Sequence, residues 1–179
     1  MNKRNTLLIV TVLTILGVLL VSKFKDNQFR GYFKDFNKVR VIMPTSKPDV
    51  SQNSIDLAML AYAIKLPVNC RYPQLDKKLS DRGLTYKKVI SPESLVFIGP
   101  PAFETWALLG STIAHEVEVH CNQSFYSIWS KDKLGLNGTC KAEREAYQYE
   151  LDNSKRFNLS AKLFKDIEMT MEYFYKECK

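Results

Sequence analysis

The chain has 179 residues, 45% of them hydrophobic, and a formal net charge of +7. Once a terminal segment is set apart, that length fits one domain of ordinary size, and the apolar fraction is enough for a real core. The basic residues are spread along the chain and form no run of the kind seen in a nucleic-acid arm. No nucleic acid is therefore expected, and a membrane surface or an anionic envelope partner accounts for the charge.

The N-terminus, MNKRNTLLIVTVLTILGVLLVSKFK, has a short basic start and then an uncharged apolar run from Thr6 to Ser22. The run sits at the low end of what spans a bilayer, roughly 17 to 25 residues. Its best small-residue pair for cleavage, Leu20 and Ser22, is poor. Residues 1–22 are expected to be an N-terminal membrane anchor or uncleaved signal, one transmembrane helix. Lys3 and Arg4 argue that the N-terminus stays inside, whereas Lys23, Lys25, Arg30, Lys34, Lys38 and Arg40 argue the opposite. The four cysteines, Cys70, Cys121, Cys140 and Cys178, arbitrate: an even number in an exported domain suggests disulfides. The alternative is four buried thiols in a cytosolic protein. The expected location is a single-pass membrane protein with its C-terminal domain on the extracytoplasmic side.

Residues 23–36 interleave basic and aromatic side chains and suit a juxtamembrane segment. Residues 38–43, KVRVIM, alternate in the manner of a strand. Ile55, Leu57, Leu60 and Ile64 mark a helix over 54–66 that ends before Pro67. Residues 67–93, punctuated by Pro73, Gly83 and Pro92, read as irregular. SLVFIGPPAF, 94–103, reads as a short buried strand entering a turn, with Pro100 and Pro101 placed to open a helix. Phe103, Trp106, Leu109, Ile113 and Val117 mark one face of a long helix reaching about residue 129. A loop over 131–138, a helix from Cys140 through KAEREAYQYELDNSKRF and a last helix carrying Leu163, Ile167, Met171 and Phe174 complete the chain. The fold class is α+β, predominantly helical.

Both histidines of the chain lie in STIAHEVEVHCNQ, 111–123. His115 and His120 stand five apart. On a regular helix that step splays two rings by about 140°, whereas a step of four brings them within about 40°. One π-bulge absorbs the extra residue and returns both imidazoles to a common side, and such bulges concentrate at functional sites. No third imidazole exists, so a further ligand must be a carboxylate or a thiolate. On a helix over 142–151, Glu143, Tyr147 and Glu150 share a face from which Tyr147 could donate to a developing oxyanion, while Glu145 points elsewhere.

HEVEVH resembles the HExxxH signature of the dipeptidyl peptidase III family, zinc metallopeptidases of the gluzincin kind. AEREAYQYEL, 142–151, is similar to the glutamate-bearing second motif of related peptidases. The resemblance covers residues 111–123 and 140–151, and Tyr147 stands where many relatives carry an acidic residue that supports a ligand histidine. It implies Zn2+ held by His115, His120 and Glu143, with Glu116 as general base. Residues 37–179 would then be a metallohydrolase domain with a zincin-like fold, a short sheet and a long active-site helix. A polypeptide substrate would lie along an exposed strand edge at 96–99.

Three other readings stay open. The segment could be a plain amphipathic helix or a strand. The domain could be non-catalytic, stabilised by disulfides and binding an envelope protein. Glu116 and Glu118 could join the histidines in a helical site for storage or redox work. Of the three possible disulfide pairings, Cys121–Cys140 with Cys70–Cys178 would tie the two ligand-bearing helices together.

Overall fold

The computed structural model describes residues 43–87 and 93–178. The expected anchor, the juxtamembrane segment and residues 38–42 of the expected strand lie outside the described residues. Helix α1 (Gln52–Ala61) starts at Ser51, whose hydroxyl accepts from the Ser54 N–H, and buries Ile55, Ala58 and Met59. It stops well short of Pro67 because the backbone turns left-handed at Ala63, φ 49°. The exposed carbonyls of Tyr62 and Ala63 are taken by Arg156 at 2.9 and 3.1 Å.

Three strands form one sheet: β1 (Gln74–Leu75), β2 (Gly83–Lys87) and β3 (Ser94–Ile98), in the order β1-β3-β2. β3 pairs parallel with β1 and antiparallel with β2, with Gly83 opposite Ile98 and Lys87 opposite Ser94. Ser94, Val96 and Ile98 point into the core. Two expectations are corrected here. The stretch 67–93 is not irregular throughout, since it contributes β1 and β2. The strand at 94–98 is the centre of the sheet, so residues 96–99 offer no free edge. β2 is an edge strand and lies against residues 115–119, where Thr85 bonds Glu116.

Pro100 and Pro101 open a 3-10 turn (Pro100–Glu104). Thr105, whose side chain accepts from the Leu108 N–H, then caps helix α2 (Trp106–Ala114). The expected single helix to about residue 129 is instead a chain of segments: α2, a π-helical turn (His115–Val119), a 3-10 turn (His120–Asn122) and a separate helix α3 (Phe125–Lys133). The break falls where Ser124 caps α3 afresh. Helix α4 (Gly138–Asp152) follows, then a single turn α5 (Ser154–Phe157) and helix α6 (Ala161–Phe174).

The main core gathers Ile55, Met59, Val96, Ile98, Phe103, Leu109, Ile113, Val117 and Phe157, from α1, β3, the 3-10 turn before α2, α2, the π turn and α5. Burying each such side chain contributes about 1.5–3 kcal/mol, so α2 and its π turn are the most firmly held part of the fold. A smaller cluster of Leu151, Ile167 and Met171 seats α6 on α4. Among the described residues, no helix is long and apolar enough to cross a membrane.

The disulfides are Cys70–Cys121 and Cys140–Cys178, each with Cα atoms 5.6 Å apart. This corrects the expected Cys121–Cys140 and Cys70–Cys178 pairing. The end of the π region lies against the chain before β1, where Asn69 Nδ2 also donates to the Cys121 carbonyl at 2.7 Å. α6 returns the C-terminal turn (Lys176–Cys178) to the start of α4, and Cys140 is in that first turn.

Candidate metal centre

The π turn answers the spacing question. With one extra residue in the turn, His115 and His120 face each other, Nε2 to Nε2, at 3.1 Å. Glu143 comes from the second turn of α4. Its carboxylate oxygens lie 3.4 Å from His120 Nε2 and 3.7 Å from His115 Nε2. The donor atoms of His115, His120 and Glu143 are all within 4.8 Å of one another, a group that could hold a metal ion.

Hydrogen bonds behind the rings settle which nitrogens face inward. His115 Nδ1 is 2.8 Å from Glu150 Oε1. A carboxylate only accepts, so Nδ1 carries the proton and Nε2 presents its lone pair. His120 Nδ1 is 2.7 Å from Gln123 Oε1. Gln123 cannot be turned round, because its Nε2 donates at 3.0 Å to the Ala142 carbonyl and to Glu145 Oε2. With the Nδ1 protons turned outward, the two Nε2 atoms face each other and a carboxylate, an arrangement that a cation or a proton relieves. The proton case shows the strength of the field. Burial pulls the His115 imidazole down, but hydrogen bonds to Glu143 and Glu150 and the charges of Glu150 and Glu116 reverse this and push it up to about 10. Burial opposes ionisation of Glu143 too, yet its contacts with both histidines hold it well below the usual carboxylate range.

Glu116 is buried and held from β2. Thr85 Oγ1 donates to its Oε2 at 2.7 Å, and Gly83 leaves room for its Oε1: a Cβ there would meet that oxygen at 2.6 Å. Tyr147 packs edge-on to His115, ring centroids 4.9 Å apart, and stacks on Tyr175 at 5.5 Å. Burial raises the Tyr147 phenol above its ordinary value, so it remains a donor at neutral pH. His115, Glu116, His120, Glu143, Tyr147 and Glu150 all line one cleft of about 840 Å³, with β2 along its wall.

Glu118 does not join this group. It is drawn into an ion pair with Arg156 at 2.7 Å, accepts from Tyr149 at 2.7 Å and takes the Lys65 N–H at 2.8 Å. A site built from Glu116, Glu118 and the histidines is thereby corrected. Glu145, bonded to Gln123, stays out of the donor set.

Four residues that the sequence reading did not assign to the site take part in it. Glu150 was placed on the right face of α4 but not as the partner of His115; its spacing of seven from Glu143, two helical turns, was the available signal. Gln123, three residues after His120, carried a similar one. Gly83 and Thr85 gave none, because their role depends on how β2 packs. No family model, curated protein or solved structure matches this chain.

Proposed function

We propose that this domain is a zinc-dependent hydrolase, a metallopeptidase with gluzincin-like site logic, in which His115, His120 and Glu143 hold the metal. One observation carries the proposal: the mutual spacing of the three donors. Nitrogen and oxygen ligands about 2.0–2.2 Å from a tetrahedral zinc stand about 3.3–3.6 Å apart. The two imidazole nitrogens stand 3.1 Å apart, one Glu143 oxygen lies 3.4 Å from His120 Nε2 and the other 3.7 Å from His115 Nε2, and one donor atom from each residue falls within 4.8 Å of the others, close to that range. Three protein donors leave one position for water, as in catalytic and not structural sites. Proton-bearing Nδ1 atoms on carboxylate and amide partners are the usual support of zinc-bound imidazoles.

When bound, zinc supplies Lewis acidity that brings the pKa of a coordinated water toward about 7. Glu116 follows a ligand directly, is fixed by Thr85, and takes the water's proton at its carboxylate. Tyr147 donates its O–H to the oxygen on which negative charge develops. A polypeptide is the substrate class that suits β2. Its Leu84 and Tyr86 alternate outward with Gly83, Thr85 and Lys87, and no strand pairs with its second edge among the described residues. An extended chain would add there as a further strand, with main-chain hydrogen bonds setting its register. The zincin-like fold, the membrane anchor over residues 1–22 and the extracytoplasmic location belong to the same proposal; two disulfides accord with an oxidising compartment.

The second reading, a non-catalytic domain that binds an envelope partner, draws on α3. That helix buries no residue, and Tyr126, Trp129, Leu134 and Leu136 are exposed on it and just after it. Glu116→Gln separates the two. On the first reading it keeps zinc and loses peptide hydrolysis; a wild-type protein that folds, binds zinc and hydrolyses no peptide supports the second.

A further inference from the structure

The cleft contains a cation to which the chemistry above gives no task. Arg82 immediately precedes β2, and its root is fixed because its carbonyl accepts from the Gly99 N–H at 2.9 Å. Its guanidinium carbon lies 5.8 Å from the centre of the Tyr147 ring, and Arg82 and Tyr147 line the same cleft. Burial works against its charge, but Glu150, Tyr147 and Glu116 outweigh that and keep it cationic. Among the described residues no carboxylate forms an ion pair with it. A guanidinium has five N–H donors in a fixed fork.

A phenol carries its own O–H, so Tyr147 offers a second donor beside the guanidinium. The ring cannot drift, being held between His115 and Tyr175. A third donor lines the same cleft: Thr112 Oγ1, 3% exposed as a residue, has no hydrogen-bond partner. Donors from the residue before β2, from α2 and from α4 thus line one cleft.

We infer that Arg82 and Tyr147 form an anion-binding subsite beside His115, which takes an anionic oxygen of the ligand. The inference deepens the hydrolytic reading and rests on it for its place in the reaction. Two sources supply such an oxygen: the carbonyl oxygen as it becomes anionic during attack, and a permanent carboxylate at the end or on a side chain of the substrate.

The test uses the purified full chain loaded with zinc, with benzoate as the anionic probe and benzamide as its neutral counterpart, titrated by calorimetry. Benzoate binds saturably to the wild type. It binds at least about tenfold more weakly to Arg82→Gln and Tyr147→Phe, and Arg82→Lys recovers part of the loss, since it restores the charge without the fork. Benzamide binding does not distinguish the variants. Benzoate affinity that is unchanged in Arg82→Gln, the result of direct ligation to the metal, overturns the subsite while leaving the metal centre intact. Repeating the titration on EDTA-treated protein keeps the two claims apart: Arg82-dependent benzoate binding there sustains the subsite even if zinc uptake fails. Hydrolysis of one peptide as free acid and as C-terminal amide then assigns the source. A loss in Arg82→Gln of about 10²–10³-fold on both forms marks the developing oxyanion, and a loss confined to the free acid marks a substrate carboxylate.

Discussion

Gly83→Ala isolates the position of Glu116 from everything else in the site. An added Cβ would lie 2.6 Å from Glu116 Oε1, 2.7 Å from its Cγ and 2.9 Å from its Cδ. Carbon contacts relax only near about 3.5 Å, so the carboxylate must retreat by about 0.9 Å. Gly83 sits in a strand and is not among the glycines with positive φ, so alanine suits its backbone and the fold should persist. The three atoms nearest the new methyl group all belong to Glu116, and none to the three donor residues. A misplacement of about 1 Å in a reacting group costs on the order of 10²-fold in rate. The assay compares kcat/KM on a fluorogenic peptide with zinc content and melting temperature. The expected result is a loss of about 100-fold with zinc and melting temperature retained. Wild-type turnover in folded Gly83→Ala would refute the role given to Glu116, and a parallel loss of zinc would show that its carboxylate belongs to the ligand set.

Other perturbations address the supports of the site and the fold. Glu150→Gln replaces the charged acceptor of His115 Nδ1, 2.8 Å away, and should weaken zinc affinity by about 10- to 100-fold in chelator competition; unchanged affinity contradicts the orienting role. Burial raises Glu118, but hydrogen bonds from Arg156, the Lys65 N–H and Tyr149 bring it below its ordinary value of 4.5. Its stabilising contribution is therefore present above about pH 4.5 and lost as pH falls through its lower folded value. Glu118→Gln should reduce stability at pH 7 by about 2–3 kcal/mol, a figure set below the fully buried range because both partners retain some solvent contact. It should also flatten the acid limb of melting temperature against pH; an unaltered acid limb counts against the ion pair. Cys140→Ser with Cys178→Ser opens a loop of sequence separation 38 and should cost about 4 kcal/mol in chemical denaturation by the loop-entropy model, with less than about 1 kcal/mol contradicting it.

The candidate site was more legible in the sequence than its surroundings. An odd helical step between the only two imidazoles permits a shared ligand in one way, and the π turn at His115–Val119 is that way. Helical periodicity put Glu143, Tyr147 and Glu150 on one face, which α4 obeys, whereas Glu143 as a ligand came from the resemblance and the bond of Glu150 to His115 was not read. The sheet was read less well. β2 alternates half-buried and exposed positions weakly, and Gly83 inside it reads as a breaker until Glu116 is seen packed on it. The expected long helix failed at Ser124 because apolar periodicity continues through Phe125 and Ile128, while the cap that restarts the helix is a local side-chain effect. Disulfide pairing depends on which chain ends meet in space, and four cysteines leave three choices that sequence cannot rank.

Zinc stoichiometry of the purified chain and of three variants tests the central claim most directly. Mass spectrometry of the metal content should find about one zinc per wild-type chain, and none in His115→Ala or His120→Ala. In Glu143→Ala it should find a loss of at least about tenfold in affinity. A folded wild-type protein without stoichiometric metal, or one that keeps its zinc when either histidine is removed, would contradict the account.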